Sequence, residues 1–239
     1  MQILEGKGVT KYFGGLAAVS NVNFRVERGE IVGLIGPNGA GKTTLFNLIS
    51  AALSTQQGKI TFKDTKITGM KPHQICRLGI ARTFQSVKIF PNISVIDNIA
   101  LGAMFGKKSA TSSEAGLTEV DEILDFVGIS AIRDIPAKDL TLVNQKRVEV
   151  ARALATDPEL LLLDELMAGL NHTEIAESME MVSRIRGKGI TILMIEHVMK
   201  AIMSICDRII VLHHGETIAE GTPEEVSTSK KVIEVYLGE

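Results

Sequence analysis

The stretch from Glu30 to Leu53, EIVGLIG-PNGAG-KTTLFNLISAAL, constrains this chain more than any other. A compact apolar run ending in glycine predicts a buried strand, and the apolar spacing after Gly41 predicts a helix. Between them, residues 36–44 satisfy G-x-x-x-x-G-K-[ST] at the strand-to-helix junction this pattern requires. Gly36, Gly39 and Gly41, interleaved with Asn38 and Ala40, let the backbone wrap closely around phosphates, with successive N–H groups forming an anion nest. The positive end of the helix adds to that attraction. Lys42 is expected to reach the β- and γ-phosphates of a nucleotide and the Thr43 hydroxyl to bind Mg2+, with Thr44 completing the loop.

The rest of the chain fits one fold around this loop. QILEGKGVTKYF, SNVNFRVERGE and GKITFKD predict a β-rich N-terminal part. Residues 86–155 predict a helical region, with SVIDNIALGAMF and LTEVDEILDFVGI carrying apolar residues three and four apart. GKKSATSSEAG between them is expected to be an exposed loop. From residue 158 strands alternate with helices: ELLLLDE and ITILMIEH have the continuous apolar character of strands buried on both faces. RIIVLHHGETIAEG predicts a hairpin turning at HHGE, and Thr222, Pro223 and Glu225 predict a capped helix start. The β-α alternation predicts an α/β fold with a largely parallel sheet.

Two strand ends carry candidate chemistry. ELLLLDE delivers Asp164 to the sheet's C-terminal edge, where such folds bind ligands, and Asp164 is expected to hold Mg2+ through its hydration shell. Glu165 beside it is expected to orient or deprotonate an attacking water. His197 closes ITILMIEH and is expected to contact the γ-phosphate. His213 and His214 lack a third ligand at metal spacing and read as an exposed turn.

Composition narrows the class. The 239 residues carry a formal net charge of -2, which gives no argument for a nucleic-acid partner. Cys76 and Cys206 lie far apart and predict free thiols. The N-terminus lacks a basic segment followed by an apolar one, and no apolar run nears ~20 residues, so neither a signal peptide nor a membrane helix is expected.

These motifs, in this order, resemble the ATP-binding cassette ATPases, the motor subunits of ABC transporters, over essentially the whole chain. The resemblance implies one ABC-type domain over 1–239, a P-loop (RecA-like) core with an N-terminal antiparallel β subdomain, and a helical subdomain inserted at about 86–155. It implies that Gln85 is the Q-loop glutamine, acting in catalysis and on Mg2+. Asp164 and Glu165 match the Walker B pair, AGLN the D-loop and His197 the switch histidine. Phe13 matches the residue that stacks on adenine, ahead of its neighbour Tyr12. GIARTFQ, PNISVIDNI, MIEHVMKAIM and VYLGE are most similar to ATPases of branched-chain amino acid uptake, while VEVARALAT, ICDR and EGTPEE are shared with lipopolysaccharide-export ATPases. The resemblance implies a peripheral subunit at the cytoplasmic face of the cell membrane. Its implied partners are a second ATPase subunit, as a homo- or heterodimer, membrane permease subunits gripped through the Q-loop and helical subdomain, and indirectly an external solute-binding protein. A soluble ABC ATPase acting on DNA or the ribosome is a further alternative, but the chain has neither heptads nor a second phosphate loop. A nucleotide-gated regulatory subunit is another.

Two departures stand out against that resemblance. The signature turn, usually L-S-G-G-Q, aligns with LTLVNQ, Leu140–Gln145. Thr141 keeps a hydroxyl, but Val143 puts a β-branched side chain where glycine permits close backbone approach. Asn144 is expected to cap the following helix, and Gln145 completes the turn. A hydrogen bond to a charged group is worth about 1.5–3 kcal/mol, so losing one predicts roughly ten- to more than a hundredfold weaker contact with a partner's ATP. Leu166 follows Glu165 where proline is usual, and is expected to loosen that turn.

Overall fold

The structure is a computed structural model that describes residues 1–106 and 114–237. In chain order its elements begin β1 (Gln2–Phe13), β2 (Leu16–Glu27), β3 (Ile31–Ile35), α1 (Lys42–Ile49), β4 (Gln57–Phe62) and β5 (Thr65–Lys66). Then come α2 (Pro72–Leu78), β6 (Ile80–Arg82), α3 (Val95–Phe105), α4 (Glu114–Val127) and, after two short 3-10 turns, α5 (Leu142–Leu154). The chain continues with β7 (Leu160–Asp164), α6 (His172–Gly187), β8 (Thr191–Ile195) and α7 (Met199–Ile205). It ends with β9 (Arg208–His213), β10 (Glu216–Gly221), α8 (Pro223–Thr228) and α9 (Lys230–Leu237).

Two sheets form. One is antiparallel, in the order β2-β1-β4-β5; the other has the order β10-β9-β3-β8-β7-β6, parallel from β9 through β6 with β10 antiparallel at its edge. The continuous apolar runs are explained by burial on both faces. Ile31, Leu161, Leu163, Ile192 and Met194 pack into one core with α3, α5 and α6, whereas Val32, Leu34, Leu160, Leu162 and Leu193 pack into a second core with α1 and the antiparallel sheet. Period-two alternation thus divides one strand between two hydrophobic layers.

Several expectations are corrected. The helix after the phosphate loop stops at Ile49, two residues before Ala51 takes φ 57°. The expected loop GKKSATSSEAG lies mostly outside the described residues, but Gly106 is buried against Thr156 and α4 starts at Glu114. Thr141, not Asn144, is the N-cap of α5; its extended φ and ψ of −63° and 159° start the helix at Leu142 and leave Asn144 inside the first turn. Residues 86–94 precede the first helix of the helical region without being helical themselves. The HHGE turn and the Thr222 capping box form as expected.

Candidate active site

Four neighbouring strands of the larger sheet, β3, β8, β7 and β6, end on the same edge. The phosphate loop follows β3, Glu196 and His197 follow β8, Glu165 follows β7, and Gln85 lies three residues past β6. Parallel strands put their C-terminal ends together, so four separate stretches of sequence meet at one place. There Phe13, Ala18, Asn38, Gly39, Ala40, Gly41, Lys42, Thr43, Thr44, Gln85, Glu165 and His197 line a single cavity of about 330 Å3.

The loop's shape follows from its glycines. Gly36 has φ 148°, and a Cβ there would lie 2.1 Å from the Leu212 carbonyl oxygen, which no side chain tolerates. Gly41 caps α1 in the left-handed region without any side-chain hydrogen bond, so the helix N-terminus keeps its free N–H groups for an anion. Lys42 is buried and donates from Nζ to the carbonyls of Gly36 (2.6 Å) and Pro37 (3.0 Å). Burial pushes its pKa down, against the pull of Glu165 and Asp164.

Glu165 sits at the centre. Its Oε2 accepts from Gln85 Nε2 at 3.0 Å and its Oε1 lies 2.9 Å from His197 Nε2. The three residues that the sequence expectation grouped as catalytic therefore form one hydrogen-bonded unit. Asp164 is buried behind them and pairs with Arg82 at 2.8 Å. Burial raises its pKa, opposed by Arg82, while its Oδ1 is buried with no hydrogen-bond partner among the described residues. An orphaned carboxylate oxygen wants a cation or its water. The Thr43 hydroxyl and the Gln85 side-chain carbonyl lie on the cavity wall, and Asp164 ends the neighbouring strand β7; these are oxygen donors of the kind that suits Mg2+.

Phe13, half exposed, lies on the cavity wall, whereas Tyr12 does not. Thr141, Val143, Asn144 and Gln145 stand apart at the start of α5 and line none of this cavity. Sequence reasoning missed Arg82, Lys146 and Glu196. Arg82 also reaches Asn47 and Ser50, locking α1 to β6 and β7.

A Gly-rich loop opening a helix, a carboxylate pair at the end of β7 and a polar Gln-Glu-His unit across the cavity define a P-loop ATPase. The chain belongs to the ABC transporter ATP-binding family. The ABC transporter family model matches residues 19–168, and the model described as branched-chain amino acid ATP-binding cassette transporter matches residues 216–239. The chain is 40% identical over 251 residues to the high-affinity branched-chain amino acid transport ATP-binding protein LivG of Escherichia coli (strain K12), covering 99% of this chain and 98% of that protein. It is 38% identical over 250 residues to BraF, the corresponding protein of Pseudomonas aeruginosa, with the same coverage. Its fold matches the ADP conformation of MJ1267, an ATP-binding cassette of an ABC transporter, at a TM-score of 0.91, 32% identity and full coverage of both chains. Another cassette, MJ0796, which is dimeric and bound to ADP and Pi in a post-hydrolysis state, matches at 0.84 with 26% identity, covering 92% of this chain and 99% of that one. The protein is accordingly an ATPase of the ABC class, which binds ATP. No helix among the described residues is long and apolar enough to cross a membrane.

Proposed function

We propose that this chain is the ATP-hydrolysing motor of an importer for branched-chain or related amino acids, seated on permease subunits at the cytoplasmic face of the membrane. The substrate class is supported by the relatives' amino acid transport names and by the family match at residues 216–239. The observation that carries the mechanism is the Gln85–Glu165–His197 unit facing the phosphate loop across one cavity.

In this reading Phe13 stacks on the adenine, and Gly36–Thr44 enclose the phosphates with Lys42 on the β- and γ-groups. Glu165 retains lone pairs beyond its two hydrogen bonds, and it takes a proton from water as the water oxygen bonds to the γ-phosphorus and the bond to the ADP oxygen breaks. His197 orients Glu165 and meets the γ-phosphate. Thr43, Gln85 and Asp164 would hold Mg2+, which when bound neutralises charge on the phosphate oxygens.

Thr141, Val143, Asn144 and Gln145 face the ATP of a second ATPase subunit. That none of them is among the residues lining this chain's own cavity supports that assignment. With valine at 143, the site they complete turns over slowly, and brisk hydrolysis belongs to a heterodimer whose partner supplies an intact signature. Hydrolysis by the purified chain tests this. Weak turnover that V143G raises by about tenfold or more is expected, and brisk turnover by the unmodified chain alone would overturn it.

Permease docking falls to a second cavity, an apolar groove of about 360 Å3 between the sheet edge and the helical region. Phe84, Phe90, Leu101 and Phe105 line it. Phe84 adjoins Gln85, so consecutive residues line the groove and the nucleotide cavity.

A further inference from the structure

Lys146 follows the signature turn directly, on the second turn of α5, and is buried rather than presented to a partner. Lysine is almost never fully buried unless its ammonium is well bound. Here Nζ donates to two carbonyls, those of Glu165 and Leu166, each at 2.9 Å.

Those carbonyls belong to the most strained turn of the site. Glu165 has φ 52°, in the left-handed region that a side chain rarely adopts. Leu166, which follows, has no ring to fix its φ. From the other side Glu196 accepts from the Met167 N–H at 2.8 Å. Three successive backbone groups, the carbonyls of 165 and 166 and the N–H of 167, are thus held by two buried side chains. The Glu165 carboxylate at the end of this turn is the one that Gln85 and His197 hold.

We propose that Lys146 is a positioning residue for Glu165, holding the strained turn after β7 and tying it to the helix that carries the signature turn. The inference rests on the reading of Glu165 as the group that takes the proton from water. It goes further by placing a device for setting that group on the signature helix itself. A shift of α5 when the signature meets a partner's ATP then reaches this chain's own Glu165 through one side chain. Methionine at 146 keeps the stem and removes both donors, leaving two buried carbonyls unpaired.

The test measures ATP hydrolysis by the complex purified with its membrane subunits, carrying K146M, K146R or E165Q. Displacing a reacting group by on the order of 1 Å costs about a hundredfold in rate. K146M is therefore expected to lower kcat by about ten- to a hundredfold, with KM for ATP changed less than about twofold. K146R, which still presents two donors, restores most of kcat. Hydrogen exchange read in parallel quickens over residues 165–171 in K146M and stays unchanged over residues 36–44. Should K146M not fold, K146Q, with a donor on a shorter arm, is expected to show the same split at smaller size. The proposal is overturned if these variants keep kcat within about twofold, lose ATP affinity in step with kcat, or exchange like the unmodified chain over 165–171. E165Q separates the two ideas. If E165Q turns over normally, the reading of Glu165 fails; if E165Q is inactive while K146M is normal, only the role of Lys146 fails.

Discussion

Glu196, between the last residue of β8 and His197, is a carboxyl buried to 2% exposure. Burial raises its pKa from 4.5 to about 7; hydrogen bonds from the Met167 and His197 amides and the charge of Lys146 oppose the rise, and Glu165 adds to it. The native protein therefore holds a proton here that the unfolded chain has lost between those two values. The stabilisation is fully present below about pH 4.5 and is lost as pH rises through about 7. A tenfold change in proton affinity is worth about 1.4 kcal/mol, so the effect is on the order of 3 kcal/mol. Glutamine at 196 still accepts from Met167 but cannot ionise. Urea denaturation at about pH 5 and about pH 8 is expected to show E196Q gaining about 1–3 kcal/mol over the unmodified protein at the higher pH only. Equal differences at both values would assign the burial cost elsewhere.

At the scale of elements, α6 shows how a loop residue sets a helix. Asn171, in the D-loop stretch AGLN, accepts from the N–H groups of Thr173 and Glu174, while Glu174 returns a bond to the Asn171 amide. This capping box satisfies orphan donors at a helix that packs Met181, Val182 and Ile185 into the core. N171A is expected to lose about 0.5–2 kcal/mol in equilibrium unfolding, while N171D, an equally good cap, stays within a few tenths. What was legible in the sequence follows the same logic. β3, β7 and β8 were visible because burial on both faces makes a strand a continuous apolar run, and the glycine pattern announced the phosphate loop. α2 and β6 were not: β6 has three residues, too few for any period, so Gln85 had no element to place it. Pro72 at the first helical position, Gln74 two residues on, whose side chain accepts from the Lys71 N–H, and Gly79 after the helix formed a start-and-stop signal for α2 that could have been read. Arg82, Lys146 and Glu196 were invisible because charged residues are ordinarily solvated, and only the fold reveals which are buried. Phe13 came from the family resemblance alone, since one aromatic residue at a strand end carries no chemistry by itself.

Across the whole molecule, the segment after β6 joins the two layers that must move together if hydrolysis is to drive transport. It is anchored to the helical region, where Lys88 N–H donates to Glu149 on α5 and Asn98 on α3 binds both backbone groups of Phe90. At its other end Gln85 holds Glu165. The groove beside it leaves Phe90 52% and Phe105 65% exposed, apolar surface of the kind that marks an interface. No residue of the groove lines the nucleotide cavity. An aspartate at 105 would therefore place a charge in the proposed docking surface while leaving the phosphate loop untouched, and at so exposed a position stability should move by no more than about 0.5 kcal/mol. F105D is expected to bind ATP with the affinity of the unmodified chain and to lose co-purification with the permease subunits, because a carboxylate stranded in an apolar interface is costly unless paired. Full recovery of the complex with F105D would place the permease elsewhere. Loss of ATP binding along with the complex would instead mean that groove and nucleotide cavity are one mechanical unit, coupled through Phe84 and Gln85 more tightly than their separate linings suggest.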